Sequence, residues 1–413
     1  MAGLKLNLQQ KLMRAIKRDK RHTGRNACIA LFLSVFILAL LHGSGPDAAG
    51  PPYDSSSPKS GVAEIFSAVI VGNIYPGSAV EKAAAAYGYT YLLEPLEPFF
   101  EPADFATGGF TPAVEPAPRS QRIETVVSAA GLSADPGAPP ETVAQALKKY
   151  NFNAVALAYP GAGAADPLKQ ALSEFSQAGV DAVGAGINFD QARAISYSYA
   201  GGVRVAVLGF SAAVPGEDRA RPDQGGLLPA DPSLYLPLTR EAGRHADLVI
   251  VHVHWGDWDG AAPQPHQEDL AKALADAGAD LVIGHAPHHV GPVEEYNGTL
   301  IFYSLGSLIS DQTWSSSSRL AAAARYTLLE DGTATVQIIP LWVREGRPHP
   351  ITGDNFLDRS RRAQIFRRLI GKGDSVEQAG AVHDGTYLYL EVNHSHVIGG
   401  GIKVAGQSAP YFQ

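Results

Sequence analysis

His252-Val253-His254-Trp255-Gly256 opens the stretch on which the fold turns. An amphipathic run leads from it to Gly284-His285-Ala286-Pro287-His288-His289, and the stretch closes with Tyr303-Ser304-Leu305-Gly306-Ser307. Five of the chain's 13 histidines stand at the ends of two apolar runs within it, Leu248–Val251 and Leu281–Ile283. Short apolar runs rich in β-branched residues read as buried strands. Histidines where such strands stop are placed like metal ligands at the top of a sheet. Residues two apart on a strand share a face, so His252 and His254 point the same way, and only the one nearer the strand end is expected to reach a site there. His285 and His288 follow the second strand in a turn stiffened by Pro287. Neutral imidazole suits Zn, Mn or Fe. A single histidine so placed is more often hydrogen-bonded or at the surface; three together leave both readings open.

Outward from this stretch the pattern is that of an α/β protein. Helices over 141–150, 167–178, 232–246 and 267–277 alternate with strands over 154–157, 182–184, 203–209, 248–254 and 280–284. That order implies parallel strands joined by crossover helices. Asn297-Gly298 and Asp331-Gly332 read as hairpin turns that add antiparallel strands. Upstream, residues 65–72 read as a buried first strand. The helix after it runs over 78–87, with Ser78 as N-cap and Gly88 as its stop. Residues 94–140 are rich in Pro and Gly and read as a long irregular region. The tail carries a basic helix over 359–370 and a strand over 386–392. Arg359, Arg361, Arg362, Arg367 and Arg368 make a basic stripe on that helix, read by default as a solvated face. Its sharper alternative is docking against the acidic body or an anionic polymer.

Charge and cysteine content narrow the function. Residues 1–25 hold 8 Lys/Arg and one Asp, a charge of +7; the remaining 25 Lys/Arg against 40 Asp/Glu give −15. An acidic body argues against nucleic acid as a partner. The single cysteine, Cys28, excludes an intrachain disulfide framework and a thiolate metal site. The basic head runs into an apolar stretch, Ala27–Leu41, read as a signal anchor rather than a cleaved signal peptide. The leading basic segment is long for a signal peptide, and the small-residue sites Gly43-Ser44-Gly45 and Ala48-Ala49-Gly50 are each followed by proline. The expected organisation is a basic cytoplasmic head (1–25), a transmembrane signal anchor (26–42), a linker (43–61), a folded domain (62–345) and a C-terminal extension (346–413). The positive-inside rule puts the body on the extracytoplasmic side of a cell membrane.

Residues 252–312 resemble the poly-γ-glutamate capsule biosynthesis (CapA/PgsA) family of the calcineurin-like metallophosphoesterase superfamily. The matching pieces are His254-Trp255-Gly256, Pro263, Gln267, Leu270-Ala271, Asp276-Ala277-Gly278-Ala279-Asp280, Val282-Ile283-Gly284-His285, Pro287-His288 and Tyr303-Ser304-Leu305-Gly306. A weaker likeness extends the match over about residues 65–345. The resemblance implies an α/β four-layer αββα sandwich of the metallophosphoesterase type with mixed sheets, here preceded by one N-terminal membrane helix. It implies metal ligands at His254, His285 and His288, with Asn73 as a weaker candidate. Trp255 and Trp258 flank that site in the sequence and read either as substrate-binding walls of a groove or, for Trp255, as packing beneath the strand end.

The departures from the family pattern are as informative. Where the family reads Gly-Asp-x-Met-Leu, this chain has Gly72-Asn73-Ile74-Tyr75-Pro76. Where it reads Asn-Leu-Glu, the chain has Gly109-Phe110-Thr111; where it reads Asn-Asn-His, Tyr159-Pro160-Gly161; and the closing asparagine is Ser307. The carboxylate that offsets metal charge is missing, although Asp257, Asp259, Glu115 and Asp311 are available elsewhere. The cofactor expectation is therefore no metal, or one divalent ion (Zn, Mn or Fe). The leading functional expectation is a membrane-anchored protein of capsule or exopolymer assembly or export that binds or scaffolds, with an anionic polymer and other membrane subunits as partners. An active hydrolase of a phosphoester or γ-glutamyl polymer, and a structural subunit of a surface assembly, are the alternatives.

Overall fold

The computed structural model describes residues 61–112, 141–157, 165–255, 262–311, 315–371 and 381–398. The expected basic head, anchor and nearly all of the linker lie outside these residues, as do Glu115, Tyr159-Pro160-Gly161, Asp257, Trp258 and Asp259. Among the described residues no helix is long and apolar enough to cross a membrane.

The strands in chain order are β1 (Glu64–Ile74), β2 (Phe105–Phe110), β3 (Phe152–Ala156), β4 (Asp181–Val183), β5 (Ala185–Gly186), β6 (Ser196–Ala200), β7 (Val203–Ser211), β8 (Gly226–Leu227) and β9 (Leu248–His254). They continue as β10 (Leu281–His285), β11 (Val293–Tyr296), β12 (Thr299–Phe302), β13 (Ser307–Ile309), β14 (Leu320–Leu329), β15 (Thr333–Arg344), β16 (Arg347–Pro350), β17 (Val382–His383) and β18 (Leu388–Asn393). The longer helices are α1 (Ser78–Tyr87), α2 (Val143–Lys149), α3 (Ala165–Ala178), α4 (Pro232–His245), α5 (Pro265–Asp276) and α6 (Phe356–Ile370).

Two mixed sheets dominate this α/β fold. The larger runs β17-β18-β15-β14-β1-β2-β3-β4, with β13 beside β1 and β16 beside β15; the smaller runs β11-β12-β10-β9-β7-β6. In the smaller sheet β12, β10, β9 and β7 are parallel, as crossover helices require, and β11 and β6 are antiparallel edges. Alternation assigns each strand's two faces. Leu248 and Ile250 of β9 join Phe66, Ala68 and Ile70 of β1 in the core between the sheets. Val249, Val251 and Val253 face the other way, into a core shared with α4 and α5. Val69, Val71 and Ile74 of β1 face a third core with residues of α1, α2 and α3.

Three local expectations are corrected. The region 94–140 is not irregular at its start: Phe105–Phe110 forms β2, a central strand whose Phe-Ala-Thr-Gly-Gly-Phe sequence is weak in β-formers. Pairing to β1 and β3 on both sides compensates for its poor propensity. At α1 the N-cap position is Gly77, and the Ala79 N–H donates to Asp311 Oδ2, at 3.3 Å from more than two hundred residues away. Asp311 therefore sits at a helix N-terminus, where a carboxylate is favoured by the dipole. Past residue 345 the chain continues the larger sheet: β16 pairs with β15, and β18 adds on β15's other edge.

The basic stripe of α6 is also not a uniform solvated face. Arg362 is buried and donates to the carbonyls of Ile351 and Gly353. Arg361 lies over Trp342, and Arg368 donates to the Ser317 hydroxyl. Only Arg359 and Arg367 are exposed.

Candidate functional site

At the C-terminal ends of their strands the two sheets face each other across a polar row. In the larger sheet Asn73 of β1 is in register with Ser307 of β13 on one side and Gly109 of β2 on the other. In the smaller sheet His254 of β9 is in register with His285 of β10 and with Ser211 of β7. Three of the four positions where the chain departs from the family pattern thus lie side by side, opposite the retained histidines.

An irregularity in β1 turns Asn73 inward. Up to Val71 its edge pairs with β14; beyond it the partner is β13, and the pairing with β2 slips between Ile70 and Asn73. Such a slip redirects a side chain across the sheet. Gly72 lies at this crossing because a β-carbon there would meet the Gly306 carbonyl oxygen at 2.0 Å. On the other side, a β-carbon at Gly109 would stand 2.7 Å from the His285 ring and 3.1 Å from Asn73 Oδ1. The bare glycine leaves the room that the imidazole and amide fill.

The side chains form one directed hydrogen-bond chain. Asn73 Oδ1 can only accept, so the proton on the 2.8 Å bond belongs to His285 Nδ1. His285 Nε2 then accepts, at 2.9 Å, from His252 Nδ1. His252 Nε2 in turn accepts from the Thr107 hydroxyl at 2.9 Å. Each imidazole needs a single proton for this, so both are neutral. Burial enforces the same state: it pushes His285 down to about 3 and lowers His252 well below an ordinary histidine, with the charge of neighbouring His285 adding to the effect on His252. His254 falls to about 3 through burial, then through His285 and His288. His288 is lowered by burial and by His289, and its Nδ1 stands 3.4 Å from the Ser307 hydroxyl.

This donor set does not fit a divalent cation. A two-metal centre holds ions about 3.5–4 Å apart and needs carboxylates to offset their charge. Among the described residues no carboxylate is hydrogen-bonded to Asn73, His285, His252 or Thr107, and both ring nitrogens of His285 are engaged in hydrogen bonds. Among the described residues no group of three or more His, Cys, Asp or Glu side chains is placed to hold a metal. The arrangement instead fastens β1 and β2 of one sheet to β9 and β10 of the other, and keeps every proton in place.

Of the residues singled out in the sequence, the structure brings Asn73, His254, His285 and His288 together. Trp255 goes elsewhere. It follows His254, so strand alternation sends it to the opposite face. There it is buried, donates from Nε1 to the Tyr303 carbonyl at 2.9 Å, and packs among residues of α4 and α5. Trp255 is therefore a core residue and not a groove wall. His252 and Thr107 were missed as site residues. The signal for His252 was present, since it shares His254's face. Thr107 had none, because β2 was not recognised.

Comparison with known proteins places the chain among capsule proteins. Residues 67–312 match the family model described as bacterial capsule synthesis protein PGA_cap. The chain is 32% identical over 397 residues to the PGA biosynthesis protein CapA of Bacillus subtilis (strain 168), covering 94% of this chain and 97% of that one. It is 32% identical over 407 residues to the capsule biosynthesis protein CapA of Bacillus anthracis, covering 95% and 93%. Among solved structures, the calcineurin-like phosphoesterase YfkN of Bacillus subtilis aligns with a TM-score of 0.37 at 13% identity, over 74% of this chain and 98% of that one.

Proposed function

Because the chain belongs to the bacterial capsule synthesis protein family, we propose that it serves the assembly or export of an anionic capsule polymer of the poly-γ-glutamate type, as a binding or scaffolding protein rather than a hydrolase. Its body is an αββα sandwich whose metal centre has degenerated. Residues 26–42 hold it at the cell membrane with the body outside, where other membrane subunits of the export machinery are its partners.

The observation that carries this reading is the state of His285. A histidine that ligates a metal keeps one ring nitrogen for the ion and gives the other to a second partner. Here both nitrogens serve the hydrogen-bond chain, and the neighbouring positions are an amide, a glycine and a hydroxyl. Among the described residues no carboxylate joins these positions to support a metal-bound hydroxide.

The test pairs elemental mass spectrometry on the full chain, purified without a chelator or affinity tag, with complementation of a deletion strain. The expected results are no stoichiometric metal, and capsule restored by His285→Ala at a permissive temperature. One equivalent of Zn, Mn or Fe that disappears in His285→Ala, together with loss of capsule, would replace this reading with the hydrolase.

A further inference from the structure

One strand edge carries no protection. β6 ends the smaller sheet, and among the described residues it pairs only with β7. Native sheets blunt such edges with short strands, charges or proline, because an open row of N–H and C=O groups templates further pairing. The other terminal strands follow that rule. β4 is three residues long and carries Asp181, β17 is two residues long, and β11 carries Glu294 and Glu295. β6 reads Ser-Tyr-Ser-Tyr-Ala, has neither charge nor proline, and keeps an unbroken register with β7.

Hairpin geometry fixes which backbone groups face outward. Gly201 and Gly202 both hold positive φ, 52° and 81°, and close a two-residue turn across which Ala200 pairs with Val203. The pair beside such a turn is hydrogen-bonded, and bonded and non-bonded pairs then alternate. Ala200, Ser198 and Ser196 therefore direct their backbone groups at β7. The N–H and C=O groups of Tyr197 and Tyr199 point to the open edge. The side chains of these two tyrosines share a face. Tyr199 is 74% and Tyr197 45% exposed, and Tyr197 meets the His245 ring of α4 edge-on at 6.4 Å. The charges beside them are paired within the chain: Arg204 with Asp247 at 2.7 Å, and Arg244 with Glu241 at 2.8 Å. On the strand's other face the Ser196 hydroxyl donates to Asp181 Oδ2 at 2.6 Å.

We propose that β6 is a self-association edge: two copies of this chain join antiparallel about a two-fold axis through Ser198, which continues the smaller sheet of one copy into that of the other. The strand is self-complementary about that residue. Tyr197 of each copy stands opposite Tyr199 of the other, and these are the residues whose backbone groups point outward. Each such pair exchanges two backbone hydrogen bonds and sets two aromatic side chains against each other across the strands. Ser198 meets its own counterpart at the axis. The contact is isologous, so it closes at two copies. The paired ions let two identical rims meet beside the tyrosines without like-charge repulsion.

Full-length protein in detergent is measured by sedimentation equilibrium between about 1 and 100 μM. The wild type is expected to dimerise in this range. Tyr199→Lys puts a charge on the edge twice per dimer and is expected to weaken association about tenfold or more. Its thermal unfolding should match that of the wild type, since the side chain is exposed. The register has a test of its own. Non-bonded antiparallel neighbours hold their Cα atoms about 4.5 Å apart, within reach of a disulfide. Ser198→Cys in a Cys28→Ser background is expected to give a covalent dimer on mild oxidation, whereas Ser176→Cys, exposed on α3, is not. If Tyr199→Lys fails to fold, the two cysteine variants decide. A monomeric wild type, a dimer that Tyr199→Lys leaves unchanged, or cross-linking no faster at 198 than at 176 would each overturn the proposal. An edge covered by a different protein gives the first of these results, and a dimer held elsewhere in the chain gives the second.

Discussion

His285 concentrates the chemistry of this protein in one side chain. It links Asn73 in one sheet to His252 in the other, and both bonds are buried. His285→Ala leaves those partners unsatisfied and opens a cavity. The expected cost is about 3 kcal/mol in urea denaturation, with no further change on adding a chelator. The histidines also set a pH dependence. Unfolded histidine titrates near about 6.5, whereas His254 and His285 titrate at about 3 in the fold. Between these values the unfolded chain binds more protons, so stability is full above the upper value and falls as the pH drops through the window. Denaturation curves measured between these limits should show that fall, and His285→Gln should flatten its slope by about one proton.

At the scale of the elements, the site is shaped by close approaches between strands. Gly72→Ala puts a methyl group against the Gly306 carbonyl, which belongs to backbone and cannot swing away. Gly109→Ala presses on the His285 ring and on Asn73 Oδ1, side chains rather than backbone. Both substitutions destabilise, Gly72→Ala by about 3 kcal/mol or more and Gly109→Ala by about 1–2, an order that thermal unfolding would check. The turn after β10 adds strain, since Ala286 holds a φ of +127°, in the region that favours glycine. Much at this scale was legible beforehand. The apolar runs at β9 and β10 and the turn at Asn297-Gly298 fall where periodicity put them, because each is a local pattern. β2 was not legible: Phe-Ala-Thr-Gly-Gly-Phe has little strand character, and only its neighbours make it one.

For the molecule as a whole, the C-terminal residues close the structure. His394 bridges the Tyr326 hydroxyl, at 2.8 Å, and the Gly298 carbonyl, at 2.9 Å. His396 pairs with Asp280 at 2.9 Å. One short segment after β18 thereby ties the larger sheet to the start of β10 and the β11–β12 turn. Truncation after residue 380 removes β17, β18 and this tie, uncovers an edge of β15 and strands a buried tyrosine hydroxyl. Limited proteolysis should show such a chain digested throughout, whereas a boundary at 345 would leave a resistant core.

What the sequence determined by itself is the alternating α/β order, the strand-end histidines, and family membership through the 252–312 stretch, all of which rest on residues near one another in the chain. What the tertiary structure decided is the use of those histidines. The partners of His285 are 212 and 33 residues away, and they reach it through a register slip in β1 and the facing of two sheets. A residue's type states which bonds it can make. Only packing states which atoms are close enough to make them, and here packing set an amide, a glycine and a second histidine around His285 where a metal centre requires carboxylates.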